Sequence, residues 1–169
     1  PIWDNIRATP DGGAIAINST TQNWRTRALI TKYDADGNVT WKTPFERDFD
    51  RYAENVKINN HPDGGYVGLW QADSFVIFNY NNPAIVFKMD ATGQFEWQKV
   101  DFYHVRNIFD VFAAQNGDLV MCGTDEALPQ EQDQYFAAYL RRMTAQGAVK
   151  WERRIFDHRD DSKYNYLWG

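Results

Sequence analysis

Three residues at alternate positions, Asp34, Asp36 and Asn38 in "YDADGNVTW", are oxygen donors with a glycine between the last two. Calcium loops space carboxylate and amide ligands in this way. The same residue types also build turns, where Asx side chains bond nearby backbone amides and glycine takes a positive φ. Which reading holds depends on whether the stretch occurs once or several times. A second group is spread along the chain: Trp24, Arg25, Arg51, Tyr52, Tyr80, His104, Arg106, His158 and Arg159. Aromatics beside arginines suit capture of a carbohydrate or a protein partner. General acid–base groups are plentiful, as in "HRDD" at 158–161, but no HExxH or nucleophile elbow appears. The third histidine, His61, sits in "HPDGG".

The stretch recurs. "DADGNVTW" returns as "DATGQFEW" and "TAQGAVKW", pairing Gly37 with Trp41, Gly93 with Trp97 and Gly147 with Trp151. The tryptophans are 56 and 54 residues apart. A second marker keeps the beat: "PDGGAIAI" from Pro10, "PDGGYVGL" from Pro62 and "QNGDLVMC" from Gln115, at spacings of 52 and 53. Two markers in the same order establish an internal repeat. Asp34 and Asp36 are not reproduced together in the other copies, which favours a turn and leaves calcium a lesser alternative. No other cofactor is expected.

Each repeat reads as four short strands joined by glycine turns. In the first, these are about 3–9, 14–18, 28–33 and 39–45. The segment 130–145 has good helix formers, but the repeat places a third strand at 138–143; a helical turn is kept for 126–134. Four antiparallel strands in about 50 residues, repeated, are the pattern of β-propeller blades. The expected fold is all-β, with blade 1 at about 1–50, blade 2 at 51–104, blade 3 at 105–160 and an extra strand at 164–168.

The pattern D-A-x-G-x-x-x-W resembles the tryptophan-docking motif of quinoprotein-like (PQQ-type) propeller repeats. The DGGY turn resembles repeats of bacterial secreted and cell-surface proteins. The resemblance implies tryptophans packed between blades and a location at the cell surface, in the periplasm or outside the cell. The family's vicinal cysteine pair is absent, since Cys122 is the one cysteine, so quinoprotein dehydrogenase chemistry is not expected from these residues.

Composition narrows the rest. The 169 residues carry a net charge of −5 and are 16% aromatic. An acidic chain lacks the basic stripe of a nucleic-acid binder, and no apolar run is long enough for a membrane-spanning helix. A lone cysteine, in the apolar run "DLVMCG", permits no internal disulfide. Asn-x-Thr/Ser sequons occur at Asn18 and Asn38. Three blades and a strand do not close a ring. The expectation is a piece of a longer polypeptide, with self-assembly of two copies, or packing on another protein, as alternatives. The long loops between second and third strands, and between blades, should share one face; variable loops on a rigid scaffold are where binding sits. The functional expectation is therefore a non-catalytic binding or scaffolding segment. The alternatives are part of a quinoprotein-like or hydrolytic enzyme completed by other blades, and a structural subunit of an assembly or fibre.

Overall fold

The computed structural model describes residues 5–22, 25–46, 53–72, 84–101, 105–126 and 136–155. They form twelve strands and no helix. The first sheet contains β1 (Asn5–Ala8), β2 (Ala14–Gln22), β3 (Arg25–Tyr33) and β4 (Val39–Glu46). The second contains β5 (Ala53–Asn60), β6 (Tyr66–Ala72), β7 (Ala84–Met89) and β8 (Phe95–Asp101). The third contains β9 (Val105–Ala113), β10 (Leu119–Glu126), β11 (Phe136–Met143) and β12 (Val149–Ile155). Each is a four-stranded antiparallel meander in sequence order. The expected all-β, blade-like fold is present. The third strand placed at 138–143 lies within β11; 127–134 and the "YNYLW" strand at 164–168 lie outside the described residues.

The sheets stack face to face, and strand periodicity decides which side chains meet. Alternate residues point to opposite faces, so each blade has a leading face, toward the preceding blade, and a trailing face. Ile15, Ile17, Ile30 and Phe45 on the trailing face of blade 1 pack against Ile58, Trp70, Ile85 and Phe87 on the leading face of blade 2. Phe45 is the hub, its ring centroid 4.7 Å from Trp70 and 5.4 Å from both Phe87 and Phe95. Val67, Leu69, Ala84 and Val86 on blade 2 meet Ile108, Val111, Leu119, Met121 and Tyr139 on blade 3 in the same way. Burying one such side chain is worth roughly 1.5–3 kcal/mol, so the junctions are the main source of stability. β7, "AIVFKM", is buried at every position because blades flank it on both sides. β12, "VKWERRI", is exposed at all but one position.

The first strands β1, β5 and β9 are neighbours, with β5 in the middle. Polar side chains tie them together. The Asn5 side chain accepts from the Ile58 amide at 3.1 Å and Gln71 from the Ile108 amide at 2.9 Å. Arg7 donates to Asn59 at 2.8 Å, and Asn59 donates on to Asp110 at 2.9 Å. These bonds satisfy backbone and side-chain groups that the stacked blades remove from water.

Candidate functional site

Six tight turns occupy one end of the stack, and each contains a glycine at positive φ. In the turn after β3, one Asp34 carboxylate oxygen accepts the amides of Asp36 at 3.0 Å and Asn38 at 2.8 Å. The other accepts from the Asn38 side chain at 3.2 Å. Asp90 repeats the arrangement with the amides of Thr92 and Gln94, both at 2.9 Å, and Thr144 substitutes its hydroxyl, accepting from the Ala148 amide. The Asn38 amide holds the Asp34 carboxyl below the ordinary carboxylate range, and that of Gln94 does the same for Asp90. Both carboxylate oxygens of Asp34 are thus engaged in closing a turn. No group of three His, Cys, Asp or Glu suited to a metal occurs among the described residues.

Behind these turns lies a charge arrangement that sequence reading missed. Lys32 and Lys88, on equivalent positions of β3 and β7, are buried. Lys32 reaches Asp11 at 2.7 Å; Lys88 reaches Asp63 at 2.7 Å and Glu96 at 2.6 Å. The Lys32–Asp11 and Lys88–Asp63 pairs tie the turn after the first strand to the third strand of their own blade, and Lys88–Glu96 adds the fourth. Blade 3 inverts the order: the buried anion Asp118 is held by Arg142 at 2.8 Å and Lys150 at 2.7 Å. The Lys150 ammonium, with Asn116 and Arg142, outweighs burial and holds Asp118 down to about 2. Burial pushes Asp63 up, but Lys88, the Gly65 amide and His61 outweigh it and hold it at about 2. The signal was available as "TKY", "FKM" and "RRM" at the same place in each repeat.

The buried His61 links blades. Its Nε2 lies 3.0 Å from the Gly117 carbonyl oxygen and its Nδ1 2.7 Å from Asp63. Neither ring nitrogen is offered to a metal.

The tryptophans make the junctions. Trp41 lies over Gly93, where an added Cβ would stand 2.7 Å from the indole. Thr43, two residues on, donates to the Gly93 carbonyl at 2.8 Å. Trp97 donates its indole N–H to the Ala145 carbonyl at 2.9 Å, and Lys99, again two residues on, donates to the Gly147 carbonyl at 2.6 Å. The expectation of tryptophans packed between blades needs correction at Trp151. Trp41 and Trp97 are half-buried, because one indole face rests on the neighbouring turn near the sheet edge. Trp151 is 36% exposed, because no fourth turn meets it among the described residues.

The described strands enter and leave the second-to-third-strand and inter-blade connections at the opposite end of the stack. Of the candidate binding residues, Trp24, Arg51, Tyr52, Tyr80, His104, His158 and Arg159 lie outside the described residues. Arg25 and Arg106 fall in β3 and β9, at strand ends on that side. The structure does not bring this set together as a described site.

No family model and no curated relative matches the sequence. Solved structures do match in fold. A cobalt-substituted apocarotenoid oxygenase from Synechocystis superposes with a TM-score of 0.56 at 10% identity, over 91% of this chain and 39% of that one. A single-residue variant of the oxygenase gives a TM-score of 0.58 at 10% identity over the same shares, and an ACO/RPE65 chimera gives 0.57 at 11%, over 91% and 39%. The chain spans about two-fifths of the length of these proteins. At this identity the likeness shows the fold, a β-propeller of which three blades are present.

Two expectations are overturned by these neighbours. The reading as a non-catalytic binding or scaffolding segment, and so as no enzyme, is set against solved propellers that are oxygenases. The expectation of no cofactor is set against a neighbour that takes cobalt by substitution and is therefore a metalloprotein. Both expectations rested on the Gly–Trp repeat motif, which is structural and says nothing of catalysis or metal binding. The described residues of this chain do not fit a metal, since His61 is committed to Gly117 and Asp63 and no three-ligand group exists among them.

Proposed function

We propose that the chain is a three-blade arc of a propeller enzyme whose catalytic centre is completed by further blades. The observation that carries this is the superposition of 91% of the chain on 39% of an oxygenase. The arc supplies rigidity: its stacked junctions and buried charge pairs hold the first strands β1, β5 and β9 side by side, so loops at the far end have a fixed platform. Oxygenation of an apolar, apocarotenoid-like substrate is the chemistry this reading favours, with a metal contributed by residues outside the described ones. The quinoprotein-like repeat type and a location at or beyond the cell surface belong to the same proposal, supported by the Gly–Trp and DGGY motifs.

The test is made on the native particle, isolated through this chain. Metal content is measured by elemental mass spectrometry, and oxygen uptake is followed with a panel of apocarotenoids. The reading expects bound metal and substrate-dependent oxygen consumption. A particle with neither overturns it.

A further inference from the structure

Both ring nitrogens of the buried His61 face oxygen atoms. Nε2 lies 3.0 Å from the Gly117 carbonyl oxygen of blade 3, and Nδ1 lies 2.7 Å from a carboxylate oxygen of Asp63 in its own turn. Carbonyl and carboxylate oxygens only accept, and a neutral imidazole carries a single N–H. Either neutral tautomer therefore turns one nitrogen lone pair on an oxygen. The Asp63 amide also points at Nδ1, but from 3.4 Å, which is weak beside a carboxylate at 2.7 Å. Asp63 is ionised throughout the neutral range, since its carboxyl is held at about 2. Only the doubly protonated ring satisfies both contacts. The charges around it agree. On blade 2, Asp63 is bonded to Lys88 on β7, which also reaches Glu96 on β8; a charged His61 makes two cations against two carboxylates. Across the junction the nearest charges in sequence are Asp118, directly after Gly117, and the Arg142 and Lys150 that hold it. The first junction is built differently. Thr9 stands where His61 does, directly before the proline of the PDGG turn. Its hydroxyl donates to Asp11 and so copies half of the contact with no titrating group.

We propose that His61 is a proton-dependent clasp between blades 2 and 3. On the acid side the charged ring bridges the Asp63 turn to the Gly117 carbonyl. When the proton leaves, one N–H remains for two acceptors. A carboxylate is the stronger acceptor, so Nδ1 keeps its hydrogen for Asp63 and Nε2 gives up the bond to Gly117. The bond that is lost is the one that crosses the junction. The fold favours the charged ring, so stability falls as pH rises through the titration of His61. The clasp is confined to the second junction, because Thr9 does not titrate at the first. It goes beyond the proposed function and needs nothing from further blades, since both blades that enclose the ring are described. It lets pH loosen one junction of the platform while the other stays closed.

Ring-nitrogen NMR of the purified chain, read at His61 between about pH 5 and 8, tests it first. The ring should carry a proton on both nitrogens at the acid end. Toward the alkaline end it should keep the Nδ1 proton and lose the Nε2 proton. Urea unfolding over the same range is the second readout. The unfolding constant of the unmodified chain should rise with pH by about tenfold, the worth of one charge-assisted bond. It should stay nearly flat in His61→Gln and in His61→Thr, which carries the blade 1 residue. His104 and His158 are common to all three chains, so the difference in slope belongs to His61. A ring with one N–H at the acid end, a ring unchanged across the range, a proton kept on Nε2 at the alkaline end, or equal slopes in chain and variants each overturns the proposal. Should neither variant fold, the ring spectrum of the unmodified chain decides alone.

Discussion

Trp97 and Trp151 occupy the same place in their blades and live in different surroundings. Trp97 covers part of the second junction and donates to the Ala145 carbonyl. Trp151 is 36% exposed at the end of the arc. β7 and β12 differ in the same sense, one buried throughout and the other exposed nearly throughout. The turn half of the motif closes its own hairpin, but the tryptophan stabilises the contact with the next blade, and its value is realised only where a next blade stands. This is the nearest-neighbour logic of repeat arrays.

That contrast can be broken most severely at Gly93. Its φ of +86° and the indole at 2.7 Å leave no room for a side chain. Gly93→Val should cost about 4 kcal/mol by denaturant unfolding, from strain and lost docking together. Gly37→Val meets the strain without the clash, since its surroundings are open. It should cost about half as much in the monomer. Equal losses would show that the indole contributes nothing at Gly93.

Lys88→Met ranks next. It removes a buried cation and leaves Asp63 and Glu96 without it. Both carboxylates are about half exposed and can be rehydrated. The loss should be about 2 kcal/mol, below the usual figure for breaking a fully buried pair. A neutral or stabilising result would mean that methionine packing offsets the ion pair.

Acid should loosen the turns later than ordinary carboxylates titrate. Asp63 and Asp118 sit at about 2 in the fold, against 3.8 for an unperturbed Asp. Their folded values are depressed, so their contribution is fully present above about pH 4 and is lost as pH falls through about 2. Unfolding midpoints measured between those values should fall steadily. Asp118→Asn should flatten its share of the slope. A slope unchanged in that variant would assign the acid sensitivity elsewhere.

The smallest effect is expected at Arg153. Its side chain is exposed and bonds the neighbouring backbone, so Arg153→Glu should change monomer stability by less than about 0.5 kcal/mol. A larger loss would place it in a contact within the arc.

The fold was legible because two markers recur at fixed order, and glycine turns with alternating apolar strands have few other solutions. β11 shows the limit of local propensity. Its helix-forming residues lie in a strand because the repeat supplies two flanking strands to pair with. The turn chemistry was half legible. Asp34 announced oxygen donors, but only coordinates show both oxygens accepting from its own turn. The charge pairs were missed because Lys32 meets Asp11 across 21 residues, at a register that sequence alone does not fix. The catalytic reading was legible only as an alternative, an enzyme completed by other blades, because no local motif among these residues carries chemistry; the fold likeness to oxygenases is what favours it.

The central claim is that the Gly–Trp motif works between blades and is unfulfilled at the arc's end. Urea unfolding of Trp97→Ala and Trp151→Ala, side by side and at low protein concentration, tests it most directly. The account predicts a loss of about 3 kcal/mol for Trp97→Ala, a large-to-small change at a packed junction. For Trp151→Ala it predicts less than about 1 kcal/mol, the ordinary cost of a surface change. Equal losses at the two positions would contradict it.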